Sequence, residues 1–218
     1  MSRDEKLAQI KTQLLALSIA LPELTNRLRM ECADHPSAFF LPTTANEYQR
    51  LAAFAAYIDH YSRVDERTIE TINVQQVLSD AATLVRTEIE RNGIFRTNFL
   101  ASPVVRANPH QLGHVFVSLL INAAQALRAT DHDNRVEVEL DTNDAGWARI
   151  AITDTGAGID ASVLPFIFNP LYSTKRGAGM GIGLAIAQQV INEIGGRISV
   201  ESSPGLGSLF IVEIPPSP

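Results

Sequence analysis

Aliphatic residues recur along the first thirty positions with the spacing of a helix seam. Leu7, Ile10, Leu14, Leu17, Leu21, Leu24 and Leu28 fall 3, 4, 3, 4, 3 and 4 residues apart. That heptad pattern specifies the packing of one helix on another in a bundle or coiled coil. Pro22 lies inside the seam; it removes a backbone donor and kinks the helix locally. Residues 33–45 carry two prolines and no helical period, and read as a loop, with Asn46 capping the second helix. That helix carries its own stripe, Leu51, Phe54, Ile58 and Tyr61, spaced 3, 4 and 3. Two antiparallel helices with one apolar stripe each bury little by themselves. Dimerisation into a four-helix bundle covers both stripes. Packing of the pair on the rest of the chain is the plainer alternative; the length and narrowness of the first seam favour the dimer.

From Thr71 the pattern changes. Val74 to Arg91 predicts a helix, Phe95 to Leu100 and Val104 to Asn108 two short strands around Ser102-Pro103, and Gln111 to Thr130 a strongly apolar helix. Arg135 to Asp141 alternates polar and apolar, as does Trp147 to Asp154. These read as neighbouring strands joined by a turn at Asn143-Asp144-Ala145-Gly146. A glycine-rich stretch precedes a helix from about Gly183 to Ile194, which Gly195-Gly196 ends. Arg197 to Glu201 and Ser208 to Ile214 form a closing hairpin around Pro204-Gly205-Leu206-Gly207. The sum is α+β: a helical hairpin over residues 1–66, then a sandwich over residues 71–218 with helices grouped on one face of a sheet.

Composition narrows the function. Of 218 residues, 45% are apolar and 19% charged, as in a soluble globular protein. The net charge of −6 argues against general nucleic-acid binding, which draws on clustered Lys and Arg. A single cysteine, Cys32, excludes an internal disulfide framework and a Cys-based metal site. The best apolar stretch, Leu14 to Leu21, is too short to span a membrane. Arg3, Asp4, Glu5 and Lys6 do not suit a signal peptide. These features lead us to expect a cytoplasmic location.

Three segments carry candidate chemistry. Asn122 is a polar residue among aliphatics on the apolar helix. Its amide oxygen can complete a magnesium shell otherwise made of water and phosphate; an Asn bonded to nearby backbone is the commoner explanation. Asp154 stands where a strand opens into Thr-Gly-Ala-Gly-Ile159. A carboxylate there can accept the exocyclic amine of adenine, with Gly156 and Gly158 letting backbone approach a flat base. A turn that merely ends the strand is an equal reading of that segment. The third is Phe168-Asn-Pro-Leu-Tyr-Ser-Thr-Lys175, followed by glycines at 177, 179, 181 and 183 and by Leu184. Glycines at alternate positions before a helix form a loop whose N–H groups can cradle phosphates, and Lys175 adds a mobile positive charge. Without a ligand the same run is only a flexible loop.

In this order and spacing the three segments resemble the ATP-binding domain of the gyrase, heat-shock chaperone, histidine kinase and mismatch-repair superfamily. Ser118 to Ala126 is similar to its N box, Asp154 to Ile159 to its G1 box, Phe168 to Lys175 to its F box and Gly177 to Leu184 to its G2 box. The Phe-x-Pro-x-Tyr-Ser-Thr-Lys run and the two upstream helices, closing in Tyr61-Ser62-Arg63, resemble sensor histidine kinases in particular. The resemblance implies Mg2+ on Asn122 and adenine on Asp154. It places Thr174 and Lys175 near the β- and γ-phosphates, and makes residues 168–183 a lid over ATP, with Gly179, Gly181 and Gly183 in its closing part and Leu184 directly after it. It also implies a homodimer through the hairpin and a response regulator receiver domain, or another kinase, as partner.

The chain departs from that family in two places. Histidine kinases carry the phospho-accepting His on the first helix, and residues 1–34 contain none. Aligning Pro22 with the family's proline puts Leu17, a seam residue, where the His belongs. His60, on the second helix, is the best substitute acceptor and a weak one. His35, His110, His114 and His132 read as surface imidazoles. Ser118 stands where histidine kinases usually have Asn and gyrases a Glu that activates water; a serine is no general base near neutrality. Leu171, where an aromatic is common, only repacks the lid. Three readings fit these features: a histidine-kinase-like Mg-ATP-binding dimer without conventional autophosphorylation; an active kinase with an unconventional or in-trans acceptor; or a phosphotransfer adaptor with a vestigial ATP site.

Overall fold

The computed structural model describes residues 69–127, 133–169, 172, 181 and 183–217. All belong to the second of two units into which the chain divides, Arg67–Pro218. The two helices read over the first 61 residues, and the bundle they would build, lie outside the described residues.

The order is β1 (Glu70–Asn73), α1 (Val74–Glu90), β2 (Ile94–Phe99), β3 (Val104–Ala107), α2 (Pro109–Ala126), β4 (Arg135–Thr142) and β5 (Ala148–Asp154). One turn of 3-10 helix (Leu164–Phe166), α3 (Gly183–Glu193), β6 (Arg197–Ser203) and β7 (Gly207–Ile214) complete it. Five strands form the main sheet in the order β2-β4-β5-β7-β6, and β1 pairs with β3 in a separate two-stranded sheet. β2 runs parallel to β4; the other neighbours are antiparallel. The fold is thus α+β with a mixed sheet.

Both long helices start on an asparagine. The Asn73 side chain accepts from the Gln75 and Gln76 N–H groups, and Asn108 from those of His110 and Gln111, which satisfies donors that a helix start leaves open. Pro109 follows Asn108 in the first helical position, where a missing N–H is harmless. The buried stripe of α1, from Val74 through Leu78, Val85 and Ile89, meets that of α2, from Leu112 through Phe116, Leu119 and Ala123. α2 also packs on α3 and across β5 and β7. Each large aliphatic or aromatic side chain so buried contributes about 1.5–3 kcal/mol relative to exposure.

Register decides which strand residues share that core. One row across β4, β5, β7 and β6 is Val138, Ile152, Phe210 and Val200; the next is Leu140, Ile150, Val212 and Ile198. The other face carries charge, including Glu137, Glu139, Arg149, Glu201 and Glu213. There Arg197 pairs with Glu213 and stacks over Trp147. The hydrogen bond from Arg197 holds the Glu213 carboxyl below its usual range, against the opposing effect of burial.

The two strands around Ser102-Pro103, whose partners the sequence left open, enter different sheets: β2 joins the main sheet beside β4, and β3 joins β1. β1 itself is too short to show a period. The apolar helix begins two residues earlier than expected, at Pro109, and stops at Ala126 rather than Thr130. The turn at 143–146 and the closing hairpin stand as expected, with Gly146, Gly205 and Gly207 at positive φ.

Candidate functional site

One row of the sheet's inner face breaks the apolar pattern. Val136 on β4, Asp154 on β5, Ser208 on β7 and Ser202 on β6 lie side by side. Asp154 is 3% and Ser208 7% exposed. Directly opposed residues in an antiparallel pair project from the same face with Cβ atoms about 5 Å apart, so the carboxyl and the hydroxyl are neighbours. Alternation along β5 leaves Asp154 no choice of side. Burying a carboxylate is costly unless it is well partnered, and such a group is a candidate for function. Its Oδ1 accepts the Gly156 N–H at 2.8 Å.

The turn after Asp154 is tied down at both flanks. A Cβ on Gly156 would sit 2.4 Å from the Ala126 carbonyl oxygen, and the Ala157 N–H donates to that same oxygen at 2.9 Å. On the other side, a Cβ on Gly158, at φ +67°, would sit 1.9 Å from the Ser203 carbonyl oxygen. The Gly205 N–H donates to the Ala157 carbonyl at 2.8 Å, and Ile159 N–H to the Ser202 hydroxyl at 2.8 Å. The need for glycine at 156 and 158 therefore arises within the fold, where two backbones approach each other, before any ligand is considered.

Ala126 also orients the helix. Ser118, Asn122 and Ala126 are four residues apart, so they share one face of α2. Ala126 touches the turn after β5. At the other end of the stripe, a Cβ on Gly183, the first residue of α3, would lie 3.4 Å from the Ser118 hydroxyl oxygen. Asn122 stands between the two, half-buried. Its side chain makes no hydrogen bond within the described residues, so the bonded-to-backbone explanation does not account for it. Ser118 and Ala126 are about 12 Å apart along the axis, a span that suits an extended small molecule.

The fold thus sets Asn122 between Gly156 and Gly183 along one face of α2, with Asp154 bonded to the Gly156 N–H and Gly158 packed against Ser203 and Gly207. Leu184 is half-buried in the first turn of α3, and Gly181, at φ +66°, stands just before that helix. His60, Thr174, Lys175 and Gly179 lie outside the described residues. Sequence reasoning missed Ser202 and Ser208. Each is a serine at an inward position of an alternating strand, and that was the available signal; its meaning needed the register that sets both beside Asp154.

A family model described as histidine kinase-, DNA gyrase B- and HSP90-like ATPase matches residues 107–218. The sensor histidine kinase ZraS of Klebsiella oxytoca is 28% identical over 187 residues, 80% of this chain and 39% of its own length. The signal transduction histidine-protein kinase AtoS of Escherichia coli K12 is 28% identical over 198 residues, 88% of this chain and 31% of AtoS. The chain therefore spans well under half the length of either relative. Among solved structures, a mycobacterial sensor histidine kinase, MprB, superposes with a TM-score of 0.61 at 26% identity, over 69% of this chain and 99% of that one.

Proposed function

Because the chain belongs to the histidine kinase-, DNA gyrase B- and HSP90-like ATPase family, with an ATPase domain of the sensor histidine kinase type, we propose that it binds Mg-ATP along the Ser118–Ala126 face of α2 and signals through that binding. In this reading Asp154 accepts the exocyclic amine of adenine, and Asn122 is the protein's ligand to Mg2+. The half-buried amide of Asn122, with no competing partner among the described residues, suits a hard cation that prefers oxygen. Bound Mg2+ supplies neutralisation of triphosphate charge. Thr174 and Lys175 reach the β- and γ-phosphates. The N–H groups of Gly179, Gly181, Gly183 and Leu184 and the dipole of α3 favour the same anionic groups.

Residues 1–66 form a two-helix dimerisation domain in this proposal, supported by the heptad seam, and residues 71–218 the ATP-binding domain. The partner is a response regulator receiver domain or another kinase. Autophosphorylation on the first helix is lacking, because residues 1–34 hold no imidazole and a leucine is no nucleophile. Among the described residues no helix is long and apolar enough to cross a membrane, which is compatible with a cytoplasmic site of action.

The buried carboxylate of Asp154, together with an Asn122 side chain that has no hydrogen-bond partner among the described residues, carries the reading. Titration of the full chain with Mg-ATP tests it. Asp154→Asn keeps an oxygen to accept the Gly156 N–H, so the fold, followed by circular dichroism, should persist. Exchange of a charged for a neutral acceptor is expected to weaken ATP binding roughly 10–100-fold. Equal affinity in the two proteins would exclude adenine recognition by this residue.

A further inference from the structure

The open edge of β2 is complementary to a second copy of itself. We propose that two copies of this chain join antiparallel along Ile94–Leu100, about a twofold axis at Thr97, so that the main sheet continues from one copy into the other.

β2 is an outermost strand of that sheet, with β4 on one side. The Ile94 N–H donates to the Asn134 carbonyl, and the Leu100 N–H to that of Leu140. Bonded residues alternate along a parallel ladder, so Ile94, Arg96, Asn98 and Leu100 turn their backbone groups to β4. Those of Phe95, Thr97 and Phe99 turn outward, and among the described residues no backbone group bonds to them. Folded proteins ordinarily blunt such an edge with a proline, a lysine, a bulge or a very short strand. β2 uses none of these. Its six residues pair with β4 without a break, and neither proline nor lysine is among them.

The side chains select the register. Pairing about Thr97 sets Phe95 opposite Phe99 and Thr97 opposite itself. These are the outward-turned residues, and they exchange about six hydrogen bonds in all. On the charged face, Ile94 falls opposite Leu100 and Arg96 opposite Asn98. Those are the non-hydrogen-bonded positions, where side chains approach most closely. Ile94 is 55% and Leu100 59% exposed, and in this register each covers the other. Arg96 meets an amide in place of a like charge. Asn98 donates its Nδ2 to Glu139 at 3.5 Å, which leaves its Oδ1 to accept. Moving the axis to Arg96 sets two guanidinium groups face to face. Moving it to Asn98 carries Ile94 past the end of the opposing strand. The match recurs at both ends by symmetry, as in an isologous contact, and for that reason the occupant is a second copy rather than a foreign peptide.

The test is disulfide trapping in the full chain, with Cys32→Ser to remove the native thiol. Ile94→Cys with Leu100→Cys places thiols within bridging distance across the seam, where opposed Cα atoms are about 4.5 Å apart. Within one copy the two positions are about 20 Å apart along the strand and cannot bridge. Oxidation by copper phenanthroline should give a covalent dimer from the double variant and at least about tenfold less from either single variant, even where another contact already holds two copies together. Adding Thr97→Pro removes an outward N–H and no bond to β4. It should cut trapping about tenfold with circular dichroism unchanged. Asn98→Arg, which opposes Arg96 with a like charge, should do the same and serves if Thr97→Pro does not fold. Equal trapping of single and double variants overturns the proposal. So does no trapping of the double variant, or trapping indifferent to Thr97→Pro and Asn98→Arg, whether the edge then stays bare or takes a peptide of another protein. None of these outcomes depends on nucleotide binding.

Discussion

Gly146 and Gly207 share a left-handed backbone, at φ +77° and +90°, but not their surroundings. A Cβ on Gly146 meets nothing within 4 Å, whereas one on Gly207 would lie 1.9 Å from the Asp154 carbonyl oxygen. Gly146→Ala should therefore cost only the conformational penalty of about 1–2 kcal/mol. Gly207→Ala adds a backbone collision and should cost about 3 kcal/mol or more, with weaker ATP binding because it is Asp154 that is displaced. Urea unfolding of both variants checks this; equal losses would mean that the close approach at 207 has no energetic weight. The sequence marked both residues as turn glycines alike. What separates them is the strand that happens to pass by.

At the scale of elements, amphipathic period and capping were legible and partnership was not. Asn108 shows the legible part. It precedes Pro109 and an apolar run, and it caps α2 from a position only 4% exposed. Asn108→Ala should lower stability by about 1–2 kcal/mol. The cap is about 20 Å along the helix from Asn122, so ATP affinity of the folded variant should stay within about twofold of wild type. A large loss of affinity without a loss of stability would show that α2 shifts as a rigid body when its start is released. Partnership is another matter. The segments Ile94–Phe99 and Val104–Ala107 are separated only by a short link that includes Pro103, yet they enter different sheets. The parallel pairing of β2 with β4 joins residues about forty positions apart, and no local pattern encodes it.

For the whole molecule, the proposal of a kinase-like dimer that signals without phosphorylating its own first helix makes a direct prediction. Incubation of the full chain with γ-labelled ATP should leave no acid-labile, base-stable phosphate on the protein. Such a phosphate, absent in His60→Ala, would overturn the proposal in favour of an unconventional acceptor. The α+β class emerged from the apolar periods along the chain and the family resemblance from three short segments set at fixed distances among them, because a nucleotide site demands particular residue types and those types are visible in a string of letters. Asp154, Asn122 and the glycine run were named on that basis alone. The tertiary structure decided what surrounds them. It set Ser202 and Ser208 in line with Asp154, pressed Gly156 against the end of α2, and turned Ser118, Asn122 and Ala126 into one stripe facing both the β5 turn and the start of α3. Chemical identity is a property of single residues and survives in the sequence; adjacency across a sheet is set by hydrogen-bond register between distant strands, and exists only once the chain has folded.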